Sequence, residues 1–523
     1  MATAARADDS LLDALNAIVG PAHLRTDEAE RRFQSTDVYN AGALPLAVVQ
    51  PGSVAELQAV VAACAQNRTA IAVRGGGASY TDGYLHRSTG GITIDTSRLK
   101  AISIDAHNGV VTVEAGVTWA ELHAALQPHG LRTPFWGPFS GLAATIGGSM
   151  SQNSISHGNG VSAESLLNIE IITGTGDLLA TGSAGSAGGA AFFRHFGPDL
   201  AGLFTGDCGA LGVKARVSLK LQRRRDAFAA ASFSFDSFDA MHEAIRLIAI
   251  EAVDDENFGL DAALQQGQIG RNDGVEAKVD IARSVMKSAT SFGSGVKSLA
   301  RMAIAGDRAL KAANYAVHYL TDGVDQADAD GKMTVIRRIA AAHGSEIANT
   351  VPTVVRSMPF APLANALGPK GERWVPMHTL LPHDRVPGFH RALMLFWDEQ
   401  RADMADHGIF TGGMFMAVGP SAFVYEPAIY WPDARSDFHD RMIPADHLAS
   451  LPVHAAAPAA RVVVQRLKQG VIDLMHAHGG AHLQIGKVYP LLEGRNPASV
   501  ALLRAIKAAL DPHGILNPGA LGL

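Results

Sequence analysis

The stretch Ile71–Tyr84, IAVRGGGASYTDGY, constrains this chain more than any other. Three consecutive glycines follow an apolar, β-prone run and stand directly behind an arginine. Glycine without a Cβ reaches backbone conformations closed to other residues, so successive N–H groups can turn into one concavity and hold an anion. That is the outline of a phosphate cradle. A Rossmann turn would need helical periodicity after the glycines. Instead the residues after Tyr84 are polar and glycine-containing, and ITID at Ile92–Asp95 then reads as a second strand. Two readings stay open at this point, a ligand site built as strand–loop–strand or an ordinary glycine-rich connection.

Composition narrows the class. A chain of 523 residues that is 47% hydrophobic has material for large cores and for more than one domain. A net charge of −6 and a pI near 6.4 speak against nucleic acid as the main partner, because binding a phosphate backbone needs a basic field. Cys64 and Cys208 are too few for a disulfide framework or a cysteine-based metal site, which suits a reducing compartment and a cytoplasmic location. The N-terminus lacks a basic region followed by an apolar stretch, and no apolar run reaches the roughly 20 residues that span a bilayer.

Along the chain, Leu46–Val49 reads as a strand and Ser53-Val54-Ala55-Glu56 as a capping box opening a helix to about Asn67. With Ile71–Arg74 these form a βαβ unit ending on the cradle. Gly109–Ala115 and the capping box Thr118–Glu121 repeat the pattern in part. Pro138–Gly160 is so rich in Gly, Ser and Asn that it has little intrinsic preference for helix or strand, and reads as a long loop. Asn168–Thr181 reads as a hairpin around Gly174-Thr175-Gly176-Asp177, and Thr205–Gly212 as a third small-residue turn, before a strand from Val213. Three such segments are able to wrap one extended ligand. Beyond Gln222, Ala231–Phe235 reads as a strand and Phe238–Ile250 as a helix; Ile281–Ala313 carries Arg283, Lys287, Lys297, Arg301, Arg308 and Lys311 against Asp307 alone. A basic face of this kind suits either solvent or peripheral contact with an anionic inner membrane surface.

RGGGASYTDG at Arg74–Gly83, ATIGGSMSQNSISHG at Ala144–Gly158, TGDCGALGV at Thr205–Val213 and the terminal DPHGILNPG together resemble the FAD-linked oxidase family of vanillyl-alcohol oxidase and p-cresol methylhydroxylase type, with glycolate oxidases and D-lactate dehydrogenases among its members. The resemblance covers the N-terminal half and the last 60 or so residues; the middle third follows only the general pattern. It implies an α+β fold: a two-subdomain FAD-binding domain of p-cresol methylhydroxylase type plus an α+β cap domain with an antiparallel sheet. The expected division is 1–224 for the FAD domain, 225–465 for the cap and 466–523 for a segment returning to the FAD domain.

The same resemblance implies the site. Arg74, Gly75, Gly76, Gly77, Ala78 and Ser79 would hold the pyrophosphate; Thr145, Gly148, Ser149, Asn153 and Ser156 would line the ring and ribityl chain; Asp207, Gly212 and Val213 would close the adenine side, with Asn517 on the returning tail. Relatives that tether FAD covalently through the cradle carry His where this chain has Ala78, so FAD is expected without that linkage; a linkage from the cap, through Tyr425 or a histidine, stays open. The phenol oxidases place Tyr-Arg before a Thr-His-Leu, where this chain has Gly479-Gly480-Ala481 before His482-Leu483, and the GDGNLH segment of the metal-dependent dehydrogenases is missing. The hydroxy-acid branch has G-E-H-G-I-G followed by Lys, and AHLQIGK keeps the His and the Lys.

Flavin oxidation needs a base for the substrate proton and a cation for the reduced ring. His482 is the expected base or substrate ligand and Lys487 the cation, with Tyr489, Tyr430 and Arg373 as further candidates; Arg373 suits either a carboxylate clamp or a structural ion pair. His482 and Lys487 also admit a reading as a packed core residue and a surface charge. His476, His478 and His482 cluster without carboxylates at suitable spacing, so no metal is expected. The resulting expectation is an FAD-dependent oxidase or dehydrogenase of a small hydroxylated substrate, a D-2-hydroxy acid ahead of a phenolic or benzylic alcohol, with a non-catalytic flavin-binding scaffold as the remaining reading. Its electron acceptor would be oxygen, a quinone or a redox protein, and a homodimer is compatible.

Overall fold

A computed structural model describes residues 2–155, 160–265, 313–361 and 363–523. The basic segment at 281–313 lies outside the described residues, apart from Ala313, and Ser156 lies outside them as well.

The first sheet sets the cradle. Its strands are β1 (Leu24–Arg25), β2 (Ala47–Val49), β3 (Ile71–Arg74) and β4 (Ile92–Asp95), in the order β1-β2-β4-β3. β2, β4 and β3 run parallel and are apolar almost throughout, as strands covered on both faces must be. The helix Val54–Gln66 begins as expected, with the Ser53 side chain accepting from Glu56 N at 3.1 Å. The βαβ unit is split, however, because β4 lies between β2 and β3. A parallel neighbour cannot be reached by a tight turn, so the connection at 75–91 has to cross over, and that length gives the cradle its depth.

The second sheet is antiparallel: β5 (Ile102–Asp105), β6 (Val110–Glu114), β8 (Leu166–Ile172), β9 (Leu178–Ala180) and β10 (Val213–Lys220), in the order β5-β6-β10-β8-β9. The short strands β7 (Leu131–Arg132) and β11 (Gln222–Arg223) pair beside it. Alternation puts Val111, Val113, Ile169, Ile171, Val217 and Leu219 into one core with Trp119, Leu122, Ile146 and Met150. The capping box at Thr118 and Glu121 is formed in full. Pro138–Gly160 departs from the sequence reading, since Ile146–Gln152 is a helix. Thr145 caps it by accepting from Gly148 N at 3.2 Å, and Asn153 ends it in the left-handed region at φ 49°. Packing of Gly147 on Ala115 and of Ile146 and Met150 in the core supplies what propensity lacks.

The third sheet has β12 (Ala227–Phe235), β13 (Glu256–Asp261), β14 (Tyr315–Gly323), β15 (Ser345–Ile347), β16 (Arg373–Pro376), β17 (Thr379–Leu381), β18 (Phe410–Val418) and β19 (Ala422–Trp431). Its order is β15-β12-β14-β13-β18-β19-β16, with β17 also on β19. Phe423, Tyr425, Ile429 and Trp431 face a core shared with the helices Phe238–Glu251, Val386–Glu399 and Pro458–Ala477. Alternation turns Val424, Glu426, Ala428 and Tyr430 to the opposite face.

The tail returns to the first sheet. Ile71 N donates to Ile515 O and Asn517 N to Ile71 O, both at 2.7 Å, while Ile515 and Leu516 pack into the core under β3. Among the described residues no helix is long and apolar enough to cross a membrane.

Candidate active site

The cradle has no room for side chains. A Cβ on Gly76 would stand 1.7 Å from the Ala143 carbonyl oxygen, one on Gly75 2.3 Å from Thr145 Oγ1, and one on Gly77, at φ 70°, 2.4 Å from Arg74 Nη2. Arg74 is buried over the rings of Phe33 and Tyr84, with its guanidinium carbon 4.3 and 5.4 Å from their centres. Its Nη1 donates to Gln34 Oε1 at 2.8 Å, and its Nε and Nη2 have no partner. Unspent buried donors beneath a glycine turn fit a diphosphate, because leaving them unpaired is costly. Tyr84 Oη reaches the carbonyls of Gly77 (2.9 Å) and Thr36 (3.0 Å) and fixes the turn, and Ser79 Oγ lies 3.2 Å from Thr81 Oγ1. Ala78 at the tip carries no nucleophile, which agrees with a flavin not tethered there.

The other glycine-rich segments close on this loop. Thr145 abuts Gly75, and Gly148 N is spent on its cap. Ser149 Oγ accepts from Trp119 Nε1 at 2.7 Å, and Asn153 Oδ1 from Ala163 N at 3.4 Å. Gly206 N donates to Met150 O and Cys208 N to Ser151 O, both at 2.8 Å. Asp207 is buried against Lys214 and accepts from Gly209 N and Leu211 N, so its carboxylate builds the turn. Gly212 lies against Ile171, and Val213 opens β10 opposite Ile172. Asn517 Nδ2 donates to the carbonyls of Gly83 and Cys208 at 2.6 Å each, tying the tail across two of the segments.

The segment Ala481–Tyr489 is laid over the cradle loop. Leu380 and Ala481 exchange backbone hydrogen bonds, Gln484 N donates to Gln152 O (2.8 Å), Lys487 N to Thr81 O (3.0 Å), and Gly486 N to Cys208 Sγ (3.1 Å). His482 Nδ1 lies 2.8 Å from the His378 carbonyl oxygen. A carbonyl only accepts, so Nδ1 carries the proton and Nε2 keeps its lone pair, buried and without a partner. Burial holds the His482 pKa below the ordinary 6.5. Its ring stacks on Tyr489 at 4.0 Å, and Tyr489 Oη accepts from His378 N at 2.9 Å.

The cation candidates are otherwise engaged. The Lys487 ammonium donates to Leu85 O inside the cradle loop, and burial lowers its pKa to about 8. Arg373 pairs with Trp431 in register and shares its face of the sheet, the side away from the cradle. There it donates to Tyr39 O at 2.6 Å and lies 4.0 Å from Asp433, which Arg461 also holds. Of its two sequence readings, the structural ion pair is the one formed. Trp374 and Tyr430 face the other way; Tyr430 stacks on Phe410 at 4.8 Å, and Trp374 meets Tyr80 edge-on at 5.9 Å.

Sequence reasoning missed Tyr80, His378, Gln484 and Glu426. Tyr80 stood unassigned inside the cradle stretch, and Glu426 was legible as a lone acid in the apolar strand AFVYEPAIYW. Among the described residues no three His, Cys, Asp or Glu side chains converge as a metal site requires.

Comparison with known proteins agrees with this construction. Residues 45–182 match the FAD binding domain family and residues 459–521 the C-terminal domain of FAD linked oxidases. The mitochondrial D-lactate dehydrogenase [cytochrome] of Arabidopsis thaliana is 29% identical over 208 residues, 38% of this chain and 35% of that protein, so the chain aligns with about a third of its length. The D-2-hydroxyglutarate dehydrogenase of Xanthomonas citri pv. viticola is 26% identical over 505 residues, covering 91% of this chain and 89% of the relative. The crystal structure of p-cresol methylhydroxylase with substrate bound superposes with a TM-score of 0.72 at 16% identity, over 98% of this chain and 96% of that one, which shows a shared fold. The chain thus carries the FAD binding domain and the C-terminal domain of FAD linked oxidases on a fold shared with p-cresol methylhydroxylase, and it takes FAD as its cofactor.

Proposed function

We propose that this protein is an FAD-dependent oxidoreductase that oxidises a small D-2-hydroxy acid to the 2-oxo acid, with 1–224 and 466–523 forming the FAD domain and 225–465 the cap. The observation that carries this reading is the bare, buried Nε2 of His482 on a segment pinned to the cradle loop. FAD supplies the hydride acceptor. His482 Nε2 takes the hydroxyl proton as the substrate C–H bond breaks, the His378 carbonyl stabilises the imidazolium that forms, and Tyr489 holds the ring in plane. The residues 74–79 hold the diphosphate, and the segments at 145–153 and 207–213 enclose the rest. The likeness to a D-lactate and a D-2-hydroxyglutarate dehydrogenase supports the substrate class.

Anaerobic holoenzyme is expected to bleach with D-lactate or D-2-hydroxyglutarate. Bleaching only with vanillyl-type alcohols would instead support a phenolic or benzylic substrate, the reading favoured by Tyr80 and Trp374 facing the pocket while Arg373 faces away. Flavin retained but unreduced by either class would mark a non-catalytic scaffold.

His482→Gln is expected to keep its flavin and lose about 10²- to 10⁴-fold in kcat, the usual contribution of a positioned base. A base must be neutral to act, and burial favours the neutral form. The acid limb of kcat/KM in the wild type therefore falls below pH 6.5, with activity lost as pH drops through the lowered pKa. A limb above pH 6.5 that persists in His482→Gln would assign the base elsewhere.

A further inference from the structure

Glu426 sits near the middle of β19, opposite Met414 of β18, on the face turned toward the cradle. Although it stands in the middle of the sheet, it is only partly buried, so it borders the space between the sheet and the cradle. Three elements meet beside Glu426, because the register sets Pro376 opposite Ala428 and Thr379 opposite Tyr425 and so brings His378 alongside it. The cradle loop contributes Tyr80, which lies edge-on to Trp374 and His378. The cap sheet contributes Trp374 and the β16–β17 turn contributes His378. The returning segment contributes His482, Gln484 and Tyr489.

None of these is a cation. His378 is held neutral by burial, its pKa lowered to about 4, and His482 is shifted the same way. The Lys487 ammonium and the Arg373 guanidinium are engaged elsewhere. The two tyrosines are placed as donors, because Tyr80 Oη accepts from Gln484 Nε2 (3.3 Å) and Tyr489 Oη from His378 N (2.9 Å), which leaves each phenolic proton to give.

Resting on the hydroxy-acid reading, we propose that Glu426 is a specificity-determining residue that binds as the protonated acid, donating its carboxyl proton to the carboxylate of the substrate or 2-oxo product beside the Tyr80 and Tyr489 hydroxyls. Such a site receives an anion through neutral donors. Burial supports the protonated state by raising the Glu426 pKa to about 7. Burial first, and the nearby acid after it, raise the pKa of both tyrosines in turn. The sign follows: the anion binds the protonated form, so affinity is full below pH 7 and is lost as pH rises through that value.

The test is pyruvate binding to the holoenzyme, followed by perturbation of the flavin spectrum at pH 6.0 and 8.5, with benzyl alcohol as neutral control. The wild-type Kd for pyruvate should rise about 30-fold, the fall in the protonated fraction, and that of benzyl alcohol should not. In Glu426→Gln the pyruvate rise should shrink below about threefold. A flat wild-type profile, no pyruvate binding at pH 6.0, or an unchanged rise in Glu426→Gln overturns the proposal. Should Glu426→Gln fail to hold flavin, calorimetry of wild type in buffers of different ionisation enthalpy decides the matter: uptake of one proton per pyruvate at pH 8 supports it and zero uptake refutes it. Linked pyruvate binding without bleaching by any D-2-hydroxy acid would defeat the substrate reading alone, and bleaching without linkage would defeat Glu426 alone.

Discussion

Gly76→Ala is expected to yield protein without flavin. A Cβ at this position would meet the Ala143 carbonyl oxygen at 1.7 Å, Ala143 C at 2.4 Å and Ala144 N at 3.0 Å. All three are backbone atoms, so no rotamer change relieves the contact. Either the cradle or the segment leading into the helix Ile146–Gln152 has to move, and both border the position proposed for the diphosphate. Overpacking of a closed site costs about 1–3 kcal/mol or more. At ~1.4 kcal/mol per tenfold, the upper part of that range weakens FAD binding by about 100-fold. The ratio of flavin to protein absorbance after gel filtration, and the rise in Tm on adding FAD, report it. Gly90→Ala is the comparison: at φ 90° it carries backbone strain, but its Cβ would meet nothing within 4 Å, so the loop is stressed without being blocked. Equal flavin loss in both variants would remove the cradle's steric role.

Asp322→Ala should produce the larger loss of stability. Asp322, on β14, receives Arg132 Nη2 at 3.0 Å and Arg356 Nη2 from the opposite side, and Arg356 also lies 3.3 Å from Glu256. Trp136 lies within 4.8 Å of Arg132 and 4.6 Å of Arg356, each guanidinium facing its ring. The ion-paired side chains of Arg132, Asp322, Arg356 and Glu256 are at most 9% exposed, and they join β7, beside the second sheet, to the third sheet. Removing the shared carboxylate leaves guanidinium charge buried with too few partners, which costs about 3–5 kcal/mol. Urea unfolding should show the midpoint falling accordingly. A loss under about 1 kcal/mol would mean that water reaches the arginines. Asp322→Asn, which keeps the shape and one acceptor, should recover part of the loss.

Much of the framework is legible in the residues alone. The glycine run, the capping residues Ser53 and Thr118 and the hairpin at 168–181 are local signals, and each formed where the residues indicated. The helix at 146–152 was not legible, because Gly147, Gly148 and Ser149 oppose helix formation and only the Thr145 cap and the core beneath override them. The insertion of β4 between β2 and β3 was also hidden, since strand order depends on partners distant in sequence.

The same division runs through the site. Alternation along a strand puts neighbouring side chains on opposite faces, here Arg373 from Trp374 and Tyr425 from Glu426. Which face meets the cofactor was decided by the helices that cover one side of the sheet. That packing sent Arg373 to Asp433 and left Glu426 on the face turned toward the cradle. Likewise the sequence supplied His482 and Lys487, while their states were set by contacts about 100 and 400 residues away in the chain: the His378 carbonyl, which bares Nε2, and the Leu85 carbonyl, which occupies the ammonium. Backbone conformation is written in near neighbours, so the sequence alone marked the glycine run as a candidate cradle, whereas the contacts of Gly75 with Thr145 and of Gly76 with Ala143 that bar a side chain there are long-range. Hydrogen-bond partners and burial are long-range properties, and for that reason only the tertiary structure decided which of the candidate side chains remain free to act.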